Sequence, residues 1–116
     1  MSCCSCLNPV NWGDRDGVTV LMGAAMGGNV EEVRRLLEER GASIDQGCSH
    51  FLTALYWAAG VGGDEHVDTV KLLLDKGAII EGHGWAISTP LQNACGKGNA
   101  NSIYLIHYYE YRTYEY

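Results

Sequence analysis

A seven-residue block that begins with threonine occurs three times along the chain. The copies are Thr19-Val20-Leu21-Met22-Gly23-Ala24-Ala25, Thr53-Ala54-Leu55-Tyr56-Trp57-Ala58-Ala59 and Thr89-Pro90-Leu91-Gln92-Asn93-Ala94-Cys95. Their threonines, at positions 19, 53 and 89, are 34 and then 36 residues apart. The stretch after each block recurs as well. Gly28-Asn29, Gly63-Asp64 and Gly98-Asn99 are small turns, and each precedes an apolar run: Val33-Arg34-Arg35-Leu36-Leu37, Val70-Lys71-Leu72-Leu73-Leu74 and Ile103-Tyr104-Leu105-Ile106. The first two copies close with Gly41-Ala42-Ser43-Ile44-Asp45 and Gly77-Ala78-Ile79-Ile80-Glu81. Self-similarity at this period specifies stacked supersecondary units, because one helix pair cannot bury its own apolar face.

Within a unit the residue types predict two helices. Thr19 is placed to cap the first by accepting from an exposed backbone N–H. Leu21, Ala24 and Ala25 form its buried stripe, with alanines where helices must approach closely. Gly28-Asn29 ends it. The second helix is expected over 30–39, with Val30, Val33, Leu36 and Leu37 on one face and Glu31, Glu32, Arg34, Arg35, Glu38 and Glu39 on the other. Glu31 and Arg35 are expected to pair at i,i+4. The second unit carries three extra residues within Gly60–His66, a turn region that tolerates insertion, and its outer helix is expected over 65–76. Pro90 stands at the first turn of the third unit's inner helix, where a missing N–H does no harm. The outer helix from about Asn101 runs into Tyr104, Tyr108, Tyr109, Tyr111, Tyr114 and Tyr116. These aromatics stand where an end unit should be polar, so they bind something or the chain is a fragment of a longer array.

Thr-x-Leu, the alanine pair, Gly-Asn, Leu-Leu and Gly-Ala together resemble the ankyrin repeat, with its period of about 33 residues and its T-P-L-H-x-A core. The resemblance covers about Asp14 to Tyr109. Only Pro90 supplies the family's proline, and the family's histidine is replaced by Met22, Tyr56 and Gln92. The resemblance implies an all-α solenoid of stacked helix–turn–helix units with β-turn fingers. We divide the chain into a flexible Cys-containing leader (1–13), an ankyrin repeat domain (14–111, with units at about 14–47, 48–83 and 84–111) and a tyrosine-rich tail (112–116). Asn8-Pro9 is a turn signal in the leader, and Trp12 is expected to fold back onto the first unit.

A formal charge of −6 and a pI near 5.0 argue against broad nucleic-acid or anionic-membrane binding. No apolar run approaches the roughly 18 residues of a membrane span, and the N-terminus lacks the pattern of a secretory signal. A cytoplasmic or nuclear location is expected. Five cysteines without a secretion signal are expected to stay reduced.

Local motifs that suggest chemistry lack their context. Cys3-Cys4-Ser5-Cys6 contains one C-x-x-C, without the second pair that a structural zinc needs. Gly60-Val61-Gly62-Gly63 and Gly96-Lys97-Gly98 read as inter-helix turns, since a P-loop lysine is followed by Ser or Thr. Asp64, Glu65, His66 and Asp68 lack H-E-x-x-H spacing, and the carboxylates read as solvated helix-start acids. Cys95 occupies an alanine-pair position and is expected to be a small buried core residue. No convergent acid, base or nucleophile set supports an enzyme. No cofactor, metal or small-molecule substrate is expected.

The resemblance also implies a surface. In similar proteins, partners bind the finger tips and the concave face of the inner helices. By position from each threonine, the finger residues are Arg15, Asp16 and Val18; Ser49, His50 and Leu52; and Trp85, Ala86 and Ser88. The concave positions are Met26, Gly27, Gly60, Val61, Gly96 and Lys97. Phe51 and Ile87 stand where the family has a finger glycine, which predicts distorted fingers there. Trp85 leads as a contact, because tryptophan and arginine dominate interface hot spots. Trp57 is expected to line the core or groove. The expected function is that of a monomeric adaptor or scaffold that binds a partner protein. The alternative is a targeting segment or fragment of a larger ankyrin-containing enzyme, such as a kinase or ubiquitin ligase subunit.

Overall fold

The computed structural model describes residues 8–83 and 86–113. Among these are six α-helices and no strand. They form three consecutive pairs: α1 (Val20–Met26) with α2 (Val30–Glu38), α3 (Ala54–Ala59) with α4 (Asp64–Asp75), and α5 (Pro90–Lys97) with α6 (Ala100–Thr113). The inner helices α1, α3 and α5 pack in one row, and the outer helices α2, α4 and α6 in a second.

The three threonines start the three inner helices. Thr19, Thr53 and Thr89 accept through Oγ1 from the N–H of Met22, Tyr56 and Gln92 at 3.3, 3.4 and 3.1 Å. Gln92 Oε1 accepts in return from the Thr89 N–H at 2.9 Å, which completes a capping box. Each cap contributes about 1 kcal/mol. The core follows the apolar columns: Leu21, Leu55, Val33, Val70, Leu36, Leu73 and Ile106 are all 2% exposed or less. Ala25, Ala58, Ala59 and Ala94 are fully buried, so the inner row packs closely.

Polar side chains join each pair to the one before it. His66 Nε2 lies 2.8 Å from the Met26 carbonyl, which can only accept, so the ring donates through that nitrogen. Asn93 and Asn99 donate through Nδ2 to the carbonyls of Tyr56 and Ala59 at 2.8 and 2.9 Å. On the outer row, Lys76 Nζ meets Glu38 Oε2 at 2.6 Å.

Several expectations change. Part of the leader is ordered: Pro9–Asn11 form a 3-10 turn with Val10 and Asn11 buried. Asn8 Nδ2 donates to the Arg40 carbonyl at 2.9 Å, Asn11 Oδ1 accepts from the Ser43 N–H at 2.6 Å, and Gln46 Nε2 donates to the Asn11 carbonyl at 2.7 Å. Val10 is the apolar residue that tucks in, while Trp12 stays 63% exposed. Cys95 is exposed, because its column is covered by the next unit at Ala25 and Ala59 but not here. Glu31 pairs with Arg34 and Glu32 with Arg35, both at i,i+3. α6 continues through Arg112 and Thr113, past the expected start of the tail. Glu110 and Tyr111 stand where Gly77 and Gly41 turn the chain at φ 90° and 72°, so no glycine stops the helix there.

Candidate interaction surface

The first two fingers are built to one plan. In the first, the Asp14 N–H donates to the Val18 carbonyl at 3.1 Å and the Gly17 N–H to the Asp14 carbonyl at 2.9 Å. In the second, the Cys48 N–H donates to the Leu52 carbonyl at 3.1 Å and the Phe51 N–H to the Cys48 carbonyl at 2.8 Å. Asp14 Oδ1 further accepts from the N–H of Asp16 and Val18 at 2.9 and 3.0 Å, which stiffens the first tip. The two fingers are joined by the Ser49 N–H donating to the Asp16 carbonyl at 2.7 Å. Gly17 permits this approach: it has φ 77°, and a Cβ there would lie 3.0 Å from the Ser49 nitrogen. Farther on, Asp45 Oδ1 accepts from the Ile79 N–H at 2.8 Å, and the Asp45 carbonyl accepts from His83 Nε2 at 2.5 Å.

Phe51 occupies the place of Gly17 and takes glycine's left-handed conformation, at φ 63°. It is the single non-glycine residue with positive φ among the described residues. Its ring, 47% exposed, stands edge-on to His83 at 6.4 Å between centroids. This conformation costs an L-residue about 1–2 kcal/mol. The finger therefore keeps its turn despite the bulky residue. Ile87, the equivalent residue of the third finger, is 75% exposed.

The fold divides the sequence-derived contact residues. Arg15, Asp16, Ser49 and His50 are exposed and lie together across the joined fingers, with Val18 half-buried beneath them. Val61 and Lys97 are exposed at the ends of α3 and α5. Met26 is half-buried and its carbonyl is taken by His66. Leu52 is a correction: at 4% exposure it belongs to the core, because the turn at Phe51 reverses the chain and sends the next side chain inward. Ala86 packs against the core, and Ser88 is half-buried with its hydroxyl donating to the Thr89 carbonyl at 3.4 Å. Trp85 lies outside the described residues. Trp57 is half-buried and edge-on to Tyr56 at 5.2 Å.

Phe51 and Ile87, 47 and 75% exposed, are the finger residues that sequence reasoning left out of the contact set; Val20 and Ile79 are exposed as well, at 55 and 48%. The signal for Phe51 and Ile87 was present: an apolar residue at a finger-glycine position has no core to enter. No group of three His, Cys, Asp or Glu among the described residues is placed to hold a metal ion. No helix among them is long and apolar enough to cross a membrane.

A family model of ankyrin repeats, three copies, matches residues 2–83. No curated protein matches the chain. The α5–α6 pair lies beyond the matched residues, and its threonine cap, capping box and packing on α3 and α4 carry it.

Proposed function

The chain belongs to the ankyrin repeat family, and from that premise we propose that it is an adaptor whose joined fingers hold a partner protein. Ankyrin repeats are generally protein–protein interaction modules and typically non-catalytic. The observation that carries the reading is the backbone bond from Ser49 to Asp16. It sets Arg15, Asp16, Ser49 and His50 on one ordered ledge, and the exposed Phe51, next in the second finger, stands edge-on to His83. A preformed ledge loses little conformational entropy on docking. Exposed aromatic and arginine side chains next to polar donors match the composition of interface hot spots. The shallow surface continues along Val61 and Lys97 at the ends of the inner helices.

The test is a paired capture from lysate with mass spectrometry. One bait is the native chain and the other carries Arg15→Ala, His50→Ala and Phe51→Ala, with circular dichroism showing equal helix content. The expected result is a protein retained by the first bait and lost from the second. An identical set on both baits removes the fingers as the binding site.

A further inference from the structure

The outer helices present the same row of positions to their successors. In α2 this row is Val30, Val33, Arg34, Leu37 and Glu38; α4 packs on α2, with Arg34 and Glu38 left at the exposed edge of the contact. In α4 it is Val67, Val70, Lys71, Leu74 and Asp75; α6 packs on α4, with Lys71 and Asp75 at the same edge. In α6 the row is Ala100, Ile103, Tyr104, His107 and Tyr108, followed one turn on by Tyr111. No described element lies over it. These residues line a groove of about 530 Å³, and Tyr104, Tyr108 and Tyr111 are 76, 51 and 67% exposed.

The chemistry of this row changes at α6. Arg34 and Lys71 give way to Tyr104, and Glu38 and Asp75 give way to Tyr108. Glu38 is the carboxylate that receives Lys76 of the next unit, and Asp75 receives Tyr109. α6 has no carboxylate at that position, so its face does not offer the contact by which one unit here receives the next. It offers rings instead. Arg112 lies 5.7 Å from the Tyr108 ring centroid and braces it.

We propose that two copies of this chain pair through α6, antiparallel about a two-fold axis near His107 and Tyr108. This departs from the monomer expected from sequence. Two arguments select a second copy. First, area: the three tyrosines leave on the order of 400 Å² of ring surface open per copy. Doubled, and joined by Ile103, His107 and Ala100, this reaches the roughly 1,000 Å² that a specific interface must clear. Second, charge: the chain carries −6 overall, yet the only acid on α6 is Glu110, which lies 3.5 Å from His107 Nδ1 and is matched in number by one cation, Arg112, stacked on Tyr108. This face therefore brings two acidic molecules together without like charges opposed. The two-fold sets Tyr104 of each copy against Tyr111 of the other, and His107 against Tyr108, so the row is complementary to itself.

The experiment is sedimentation velocity of the full chain under reducing conditions, across about 1–200 µM, the range in which an interface of this size associates. The native chain is expected to shift from monomer to dimer. The Tyr104→Glu/Tyr111→Glu variant should lose at least tenfold in association with unchanged helix content, and Ile79→Glu, at another exposed apolar residue, should associate like the native chain. Mixing that double variant with Tyr104→Lys/Tyr111→Lys should restore a dimer, because each glutamate then faces a lysine. A native chain that stays monomeric overturns the proposal and leaves the face to a further helix pair or a different protein. A dimer that survives the glutamate variant, or a mixture that fails to associate, overturns it equally.

Discussion

The Tyr109 hydroxyl donates to Asp75 Oδ1, and Tyr109 stands in the third unit where Lys76 stands in the second. Each reaches back one unit to a carboxylate on the preceding outer helix, Lys76 to Glu38 and Tyr109 to Asp75. The same position thus carries an ion pair in one copy and a phenol–carboxylate bond in the next. The hydrogen bond from Tyr109, and after it the one from Lys71 at 3.0 Å, hold Asp75 below the usual aspartate range. Burial, and then the bond to Asp75, push the Tyr109 phenol above its ordinary value.

This latch has a pH window. Asp75 is depressed, so its contribution is present above the ordinary carboxylate range and is lost as pH falls through the folded value. Tyr109 is raised, so its contribution is present below the ordinary phenol value and is lost as pH rises through the folded one. The latch is complete between roughly pH 5 and 9. Tyr109→Phe should lower stability there by about 0.5–1 kcal/mol, a range reduced for the partial exposure of the pair. NMR titration should show Asp75 moving up toward the ordinary aspartate value. An unmoved Asp75 would show that Lys71 alone sets it.

Phe51→Gly should raise stability by about 0.5–1 kcal/mol. The gain is the left-handed strain relieved, less the entropy of a freer unfolded chain. Capture of the finger-binding partner should weaken at the same time, since the exposed ring is gone. Urea unfolding and binding measured on the same preparation separate the two effects. A fall in stability would mean that the contact with His83 outweighs the strain.

Leu55→Ala should cost about 2–5 kcal/mol, because Leu55 is 1% exposed at the centre of the middle unit. Chemical denaturation reads this directly. An unchanged midpoint would contradict the placement of the second block in the core.

Asn99→Ala should cost about 1–3 kcal/mol by leaving the Ala59 carbonyl without its donor inside the stack. Asn101→Ala, at an exposed position on α6, is the matched control and should be near neutral. Hydrogen exchange should quicken in the last turn of α3 in the first variant only.

The periodic features were legible because they are local. Thr19, Thr53 and Thr89 cap where their sequence neighbours say they must, and Val33, Val70, Leu36 and Leu73 fall on one helical face by spacing alone. Arg15, Asp16, Ser49 and His50 are surface residues by the same logic, because finger tips have nothing to pack against. Leu52 escapes a reading by residue type because its burial depends on the φ of Phe51, which residue type alone argues against. Cys95 escapes it because burial in that column is supplied by another unit. His66 gives no sign of its role: an insertion in the Gly60–His66 turn brings its ring to the Met26 carbonyl, and that geometry exists only after stacking. The tyrosines of α6 read as a crowd, since only a helix that runs through Tyr111 sorts them onto one side.

The carbonyls of Met26, Tyr56 and Ala59 are each satisfied by a side chain from the succeeding unit. Each of the first two helix pairs therefore depends on its successor for its own completion. A cut between units strands acceptors on the earlier piece, so the shortest length that can be transplanted intact is longer than one repeat. Chimeras of this chain should be joined within a unit, so that His66 or Asn99 travels with the helix it closes.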